Sequence, residues 1–443
     1  MTARRPCPPA PGPLEDFALQ FDPLWASRAQ RAHFRIYLNG LLLPRDRAKT
    51  LTGLAGAEPV VQAQAAPVQR LQFFVSESDW DAEAINRRRL ELLMADPATA
   101  ATSQGVLAID DTGDRKEGNA IDHVARQYLG SVGKVDNGIV AVTSLWADER
   151  CYYPLHVMPY TPECRLAAGK RDPAFRTKPK IALELIAQAE AAGVPFKAIV
   201  ADCAYGDNVD FEEALDEHDR PYVLAQRGHV GHWAPVQAAH SFEEAAHDVP
   251  LSAWTQVVRR FRDGHTERWW ATDLTLLGYG PDRAVRAICA TTDRRKLPNL
   301  STWYLTTNLG VKQAPLDEIV RLYGLRNWIE QSYKQTKDEL GWADFMVRSD
   351  RAIRRHWILV YCAFSFCWWH ETNRVRVIDR SVQPASPPAP PPARKKNRLP
   401  QPVPVLDNDV ALGTRLASPG ALAHVLLARV RRPAPAMRAG YTR

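Results

Sequence analysis

Cysteine is sparse and unpatterned in this chain: seven residues in 443, with no C-x-x-C pair and no ligand spacing. A disulfide framework and a cysteine-held zinc site are therefore not expected, and a reducing cytoplasm fits best. Long apolar runs are also missing. The longest, Trp357 to Trp369, is too short to span a bilayer and reads as a buried helix. No membrane partner is expected. The N-terminus M-T-A-R-R-P-C-P-P lacks the apolar stretch of a secretory leader. Excess charge is absent from the body of the chain. The net charge is +7, but the segment from Ser381 onward holds ten Lys/Arg and two acids, which leaves residues 1–380 at −1. The basic pI alone is thus weak evidence for nucleic-acid binding, and the position of individual cations matters more. No internal repeat is present.

What is there reads as an α/β protein of several parts. Residues 14–95 carry helical spacing and no strand pattern, which predicts a separate all-helical domain. Arg28, Arg31 and Arg35 fall on one side of one of its helices, and Arg87, Arg88 and Arg89 lie on another, so this domain is expected to bind DNA. From 103 to 228 the pattern becomes β-β-β-α-β-α-β. G-V-L-A-I-D-D-T (105–112) is an apolar strand running into an acidic loop. Residues 137–148 and 150–159 read as paired strands, 178–193 as an amphipathic helix, and 196–203 as a buried strand ending in an acid. This order gives a mixed sheet with covering helices. Residues 229–308 are strand-like, basic and tryptophan-rich, and predict a β-rich insertion. Helices return over 309–376. Residues 377–443 form a Pro-rich basic tail, expected to be disordered in part.

The stretch Y-G-L-R-N-W-I-E-Q-S-Y-K-Q-T-K (323–337) is the most informative. At about 100° per residue, Tyr323, Arg326, Glu330, Lys334 and Lys337 share an arc of roughly 80° on one continuous helix. A lone carboxylate among cations suits an acid that holds a metal ion while its neighbours hold phosphates. Two further acids, Asp110 and Asp202, follow buried strands. Either one alone is often a turn residue or cap. Glu330 alone could belong to a salt-bridged surface helix. Taken together and in this order, the three predict a shared metal site. Oxygen-only donors favour Mg²⁺ or Mn²⁺, and two such ions about 3.5–4 Å apart can cleave a phosphodiester.

At this point the chain resembles a known family. The Tyr323-x2-Arg326-x3-Glu330-x6-Lys337 spacing is similar to the Y-R-E-K signature of bacterial insertion-sequence transposases of the DDE superfamily. I-D-D-T-G (109–113) and V-A-D-C-A-Y-G (200–206) are similar to that group's first two acid motifs, and 124–137 resembles a block of one subgroup. The resemblance covers residues 15–375. It implies an RNase H-like catalytic domain interrupted by the β-rich insertion, with Asp110, Asp202 and Glu330 as catalytic residues and ligands of two Mg²⁺ or Mn²⁺ ions. The first ligand could be Asp110 or Asp111; Asp110 is preferred because Thr112 then completes D-x-T.

The resemblance also implies double-stranded DNA partners, namely the element's terminal inverted repeats and target DNA, and a homodimer in the synaptic complex. Expected DNA contacts are Tyr323, Arg326, Lys334, Lys337, Arg126 and Lys134, with Arg115 and Lys116 nearby. Trp328, Trp269, Trp270 and Trp303 could hold an unstacked base, although tryptophans in a β-rich region are more often core. Asp122, His123 and the tail fall outside the family pattern. The expected function is DNA cleavage at element ends followed by strand transfer. The alternatives are a nuclease that joins nothing and a non-catalytic DNA-binding regulator.

Overall fold

The computed structural model describes residues 5–44, 47–229, 241–261, 264–277, 284–298 and 301–382. Five helices precede the first strand: α1 (Leu14–Leu19), α2 (Arg28–Leu42), α3 (Leu51–Leu54), α4 (Ala66–Ser76) and α5 (Ala82–Met94). A capping box starts α2. Ser27 Oγ accepts from the Gln30 N–H, and the Gln30 side chain accepts from the Ser27 N–H. The Asp81 carboxylate caps α5 by accepting from the Glu83 N–H.

These helices share one hydrophobic core with the rest of the chain. Phe17 packs edge-on against Phe366 at 5.6 Å, and the Tyr37 hydroxyl donates to His356 Nδ1 at 2.8 Å. Two arginines brace the N-terminal helices internally, and a third ties them to the rest of the chain. Arg35 donates to Glu15 and Asp22, and Arg31 donates to the Arg5 carbonyl. Arg89 is fully buried, and it donates to Asn86, Ser365 and the carbonyls of Pro154 and Leu155. So Arg31, Arg35 and Arg89 form a packing face. Helical spacing cannot distinguish that face from one presented to DNA; Arg28 and Arg87 are the exposed members of the set.

The strands are β1 (Val106–Arg115), β2 (Ala125–Leu129), β3 (Lys134–Ala147) and β4 (Tyr152–Tyr160), then β5 (Ala198–Ala201), β6 (Tyr222–Gln226), β7 (Thr255–Arg260), β8 (Thr266–Leu277), β9 (Ala284–Thr291) and β10 (Trp303–Thr307). They form one ten-stranded mixed sheet in the order β2-β3-β1-β5-β6-β10-β9-β8-β7, with β4 also pairing β3. The β1–β5 and β5–β6 pairs are parallel, and the others are antiparallel. Helix α6 (Lys178–Ala191) connects β4 to β5; α7 (Cys203–Gly206) and α8 (Val209–Glu217) connect β5 to β6. This mixed α/β architecture agrees with the expected fold class and is consistent with an RNase H-like sheet. The strands β7, β8 and β9 extend the same sheet through β10, and α9 (Phe242–Asp248) packs on them around Trp254 and Tyr304.

Two boundaries differ from the sequence expectation. β1 does not turn into a loop at Asp110 but runs on to Arg115, because β3 offers it a full ladder from Val106↔Ala147 to Arg115↔Gly138. The helical stripe is also not one helix. α10 (Leu316–Leu325) ends, Arg326 forms the junction, and α11 (Asn327–Lys334) follows, continued by a π-helical turn at Gln335–Glu339. At the junction the Arg326 N–H bonds Tyr323 O and the Ile329 N–H bonds Arg326 O, a tighter pattern than the α-helix. The final helix α12 (Asp350–Val382) covers the N-terminal helices. Among the described residues no helix is long and apolar enough to cross a membrane. Of the Pro-rich tail expected over 377–443, residues 377–382 continue α12, and the rest lies outside the described residues.

Candidate active site

The parallel pairing of β1 and β5 stops at Ile109↔Ala201. The next residue on each strand is an acid, so the register sets Asp110 and Asp202 side by side, about 4.8 Å apart along the pairing direction. Alternation along β1 sends the next carboxylate to the other face. Asp111 meets Lys178 of α6 at 2.7 Å, while Asp110 is buried beneath α11. Asp202 serves as the N-cap of α7, where one oxygen accepts from the Ala204 N–H. Its other oxygen faces Arg326. Gly206 allows this turn to press on the sheet, since a Cβ there would overlap the Ala225 carbonyl oxygen.

Glu330 reaches the same place from α11. All three carboxylates converge on one nitrogen. Arg326 Nη2 lies 2.7 Å from Asp110, 3.5 Å from Asp202 and 3.8 Å from Glu330. Arg326 and Asp110 are buried, whereas the Glu330 side chain is 52% exposed. The site is thus deep on the sheet side and open on the helix side. Burial raises the Asp110 carboxyl well above the ordinary range; Arg326 opposes this, and Asp202 and Glu330 add to it. Burial would lower the Arg326 guanidinium, but Asp110, Asp202 and Glu330 outweigh it and hold it charged.

The donor set, three carboxylates and no sulfur or imidazole, fits a hard divalent ion. Among the described residues, however, no three donors already stand close enough together to ligate one ion. The acids are arranged around Arg326 instead.

The remaining expected site residues divide by exposure. Lys334 is exposed beside Glu330, and Arg126 and Lys134 are exposed on the β2–β3 hairpin. Arg115 and Lys134 lie near Asp136, at 3.6 and 3.9 Å. Lys337 is engaged inward. Its ammonium pairs with Asp114 at 2.7 Å and donates to the Gly113 carbonyl. Lys116 is also buried, donating to the carbonyls of Ala343 and Phe345.

The aromatic residues pack rather than protrude. Tyr323 is buried edge-on to Trp303, and Trp328 stacks on Tyr152 at 4.5 Å. Trp269 and Trp303 enclose the Arg259 guanidinium, and Trp270 is covered by Arg294. A cation–π partner for each was not legible from spacing. Sequence reasoning also missed Thr143 and Tyr333. Their hydroxyls share a 2.6 Å hydrogen bond beside Asp110, on β3 and α11. Asp122 and His123 lie apart from the acids. Asp122 caps α12 by accepting from the Asp350 N–H, and His123 bridges Thr161 and Asp350 at 2.8 Å each.

Comparison with known proteins identifies the family. Residues 20–248 match the family model of DDE superfamily endonucleases, and residues 170–366 match that of the transposase DDE domain. Over 278 residues the chain is 34% identical to the probable transposase for insertion sequence element IS701 of Microchaete diplosiphon. That alignment covers 62% of this chain and 68% of the relative.

Proposed function

Given that the chain belongs to the DDE superfamily endonucleases, we propose that it is a DNA transposase that binds the ends of an insertion sequence, cuts there, and joins the 3′ ends to target DNA. The observation that carries this reading is the convergence of Asp110, Asp202 and Glu330 within 3.8 Å of a single nitrogen, from β1, the end of β5 and α11. These acids would hold two Mg²⁺ or Mn²⁺ ions. When bound, such ions activate the attacking oxygen and stabilise the leaving one.

The chain's own residues do the rest. Asp110 supplies a carboxylate fixed by the sheet, and Asp202 supplies one fixed by its cap. Glu330, on the open side, can adjust to the ions and the DNA. Lys334, one turn past Glu330, meets a phosphate beside the cut, and Arg126 and Lys134 contact the flanking duplex. Trp270, half-buried at the sheet's far end, supports a base there if Arg294 yields. In the synaptic complex two copies hold the two ends.

The test is incubation of the protein with Mg²⁺ and supercoiled DNA bearing the element's ends. Cut and joined products are expected. Cutting without joined products would leave a nuclease, and binding without cutting would leave a regulator.

A further inference from the structure

Arg326 occupies an unusual position for a phosphate contact. It is 5% exposed, its Nη2 faces three carboxylates, and its Nε is buried without a hydrogen-bond partner. A DNA-reading arginine would present its fork to solvent. We propose that Arg326 is the counter-cation of the acid cluster when divalent ions are not bound, and that it gives up Asp110, Asp202 and Glu330 as metal enters. This inference rests on the reading of those acids as the metal ligands and goes beyond it by assigning a competitor for them.

Three observations support it. First, the acids cannot all stay ionised together cheaply without a positive charge. Asp202 lies at the register neighbour of Asp110, and like charges so near in a buried place repel strongly. Asp111 does not share this duty, because it faces Lys178. Second, the carboxylates surround the guanidinium and do not yet surround a common point where an ion could sit. An ion bound at about 2.1 Å to the Asp110 oxygen would approach Arg326 with like charge. Third, the arginine is positioned to let go. It sits at the α10–α11 junction, where the backbone pattern tightens for one turn, and its unpartnered Nε marks an incompletely satisfied donor. Released toward the open Glu330 side, the same fork would meet a DNA phosphate bidentately. Metal binding and exposure of the guanidinium would then be one event.

The experiment is Mn²⁺ titration of the full-length protein without DNA, by calorimetry, on wild type and on Arg326→Gln, Arg326→Lys and Glu330→Gln. Removing a unit charge about 5 Å from the ions should tighten Mn²⁺ binding in Arg326→Gln by on the order of tenfold or more. Arg326→Lys, which keeps the charge, should stay near wild type. Unchanged or weaker binding in Arg326→Gln would overturn the proposal, while a clear loss in Glu330→Gln would leave the metal-ligand reading intact. If Glu330→Gln titrated like wild type, the ligand reading itself would fail, and the counter-cation role with it.

A second measurement avoids the risk that Arg326→Gln does not fold. Wild-type protein is treated with a guanidinium-specific dicarbonyl reagent, with and without Mn²⁺, and the Arg326 peptide is quantified by mass spectrometry. Mn²⁺ should increase its labelling several-fold. Equal or reduced labelling would show that the guanidinium does not leave the acids.

Discussion

Replacing Lys337 by alanine separates a lysine that holds the fold from one that holds DNA. The Lys337 side chain is 15% exposed and pairs with Asp114, itself 8% exposed, at 2.7 Å. The Trp342 indole N–H donates to the other Asp114 oxygen at 3.0 Å. Lys337→Ala takes the ion-pair partner from a buried carboxylate and leaves it the Trp342 indole and the charge of nearby Lys116. Breaking a buried pair from one side costs about 3–5 kcal/mol. Lys334, one turn past Glu330, is exposed, so Lys334→Ala should change stability by less than about 0.5 kcal/mol. The assay is urea unfolding of both variants, paired with gel shifts on DNA at several salt concentrations. Lys337→Ala should lower the urea midpoint sharply, and adding Asp114→Asn should recover part of the loss. Lys334→Ala should leave the midpoint in place and reduce the salt slope of DNA binding by about one. A Lys337→Ala protein as stable as wild type but weaker on DNA would refute the reasoning.

Two further outcomes follow from buried groups. His356 Nδ1 accepts from the Tyr37 hydroxyl, its Nε2–H donates to the Gly341 carbonyl, and burial lowers its pKa to about 4. The folded protein therefore resists protonating it, and this stability is present above the free-histidine value near 6.5 and is lost as pH falls toward 4. About 3 kcal/mol is at stake, and His356→Gln should flatten the melting temperature against pH over that window. Gly206→Ala should destabilise by roughly 1–3 kcal/mol in urea, because its Cβ meets backbone and not a side chain that can move; a neutral result would mean that the α7 turn is free to shift.

Much of this fold was legible because its signals are local. The β3–β4 hairpin, α6, β5 and β6 all lie where apolar runs, amphipathic spacing and a Gly193 stop put them. The three acids were also legible, since each sits at a fixed offset from such an element. What escaped depended on distant partners. D-D-T-G-D-R looks like a loop, yet β1 continues through it because Lys178, Lys337 and Trp342 satisfy Asp111 and Asp114 from elsewhere in the chain. The break at Arg326 has one local signal, Gly324 two residues earlier, and an isolated glycine within a helical pattern is easily passed over. The break accompanies a guanidinium reaching into three acids supplied by other elements or by the next turn. Arg31, Arg35 and Arg89 have the spacing of an exposed face, and only their carboxylate and carbonyl partners reveal them as core.

The central claim is that Asp110, Asp202 and Glu330 act together in cutting DNA. Its most direct test is cleavage of DNA carrying the element's ends, with Mg²⁺, by Asp110→Asn, Asp202→Asn and Glu330→Gln, each beside a gel shift on the same DNA. Asp111→Asn serves as the neighbour that faces Lys178. The three site variants should bind nearly as wild type and fail to cut, while Asp111→Asn should still cut. Normal cutting by Glu330→Gln, or loss of cutting in Asp111→Asn with cutting kept in Asp110→Asn, would contradict the assignment.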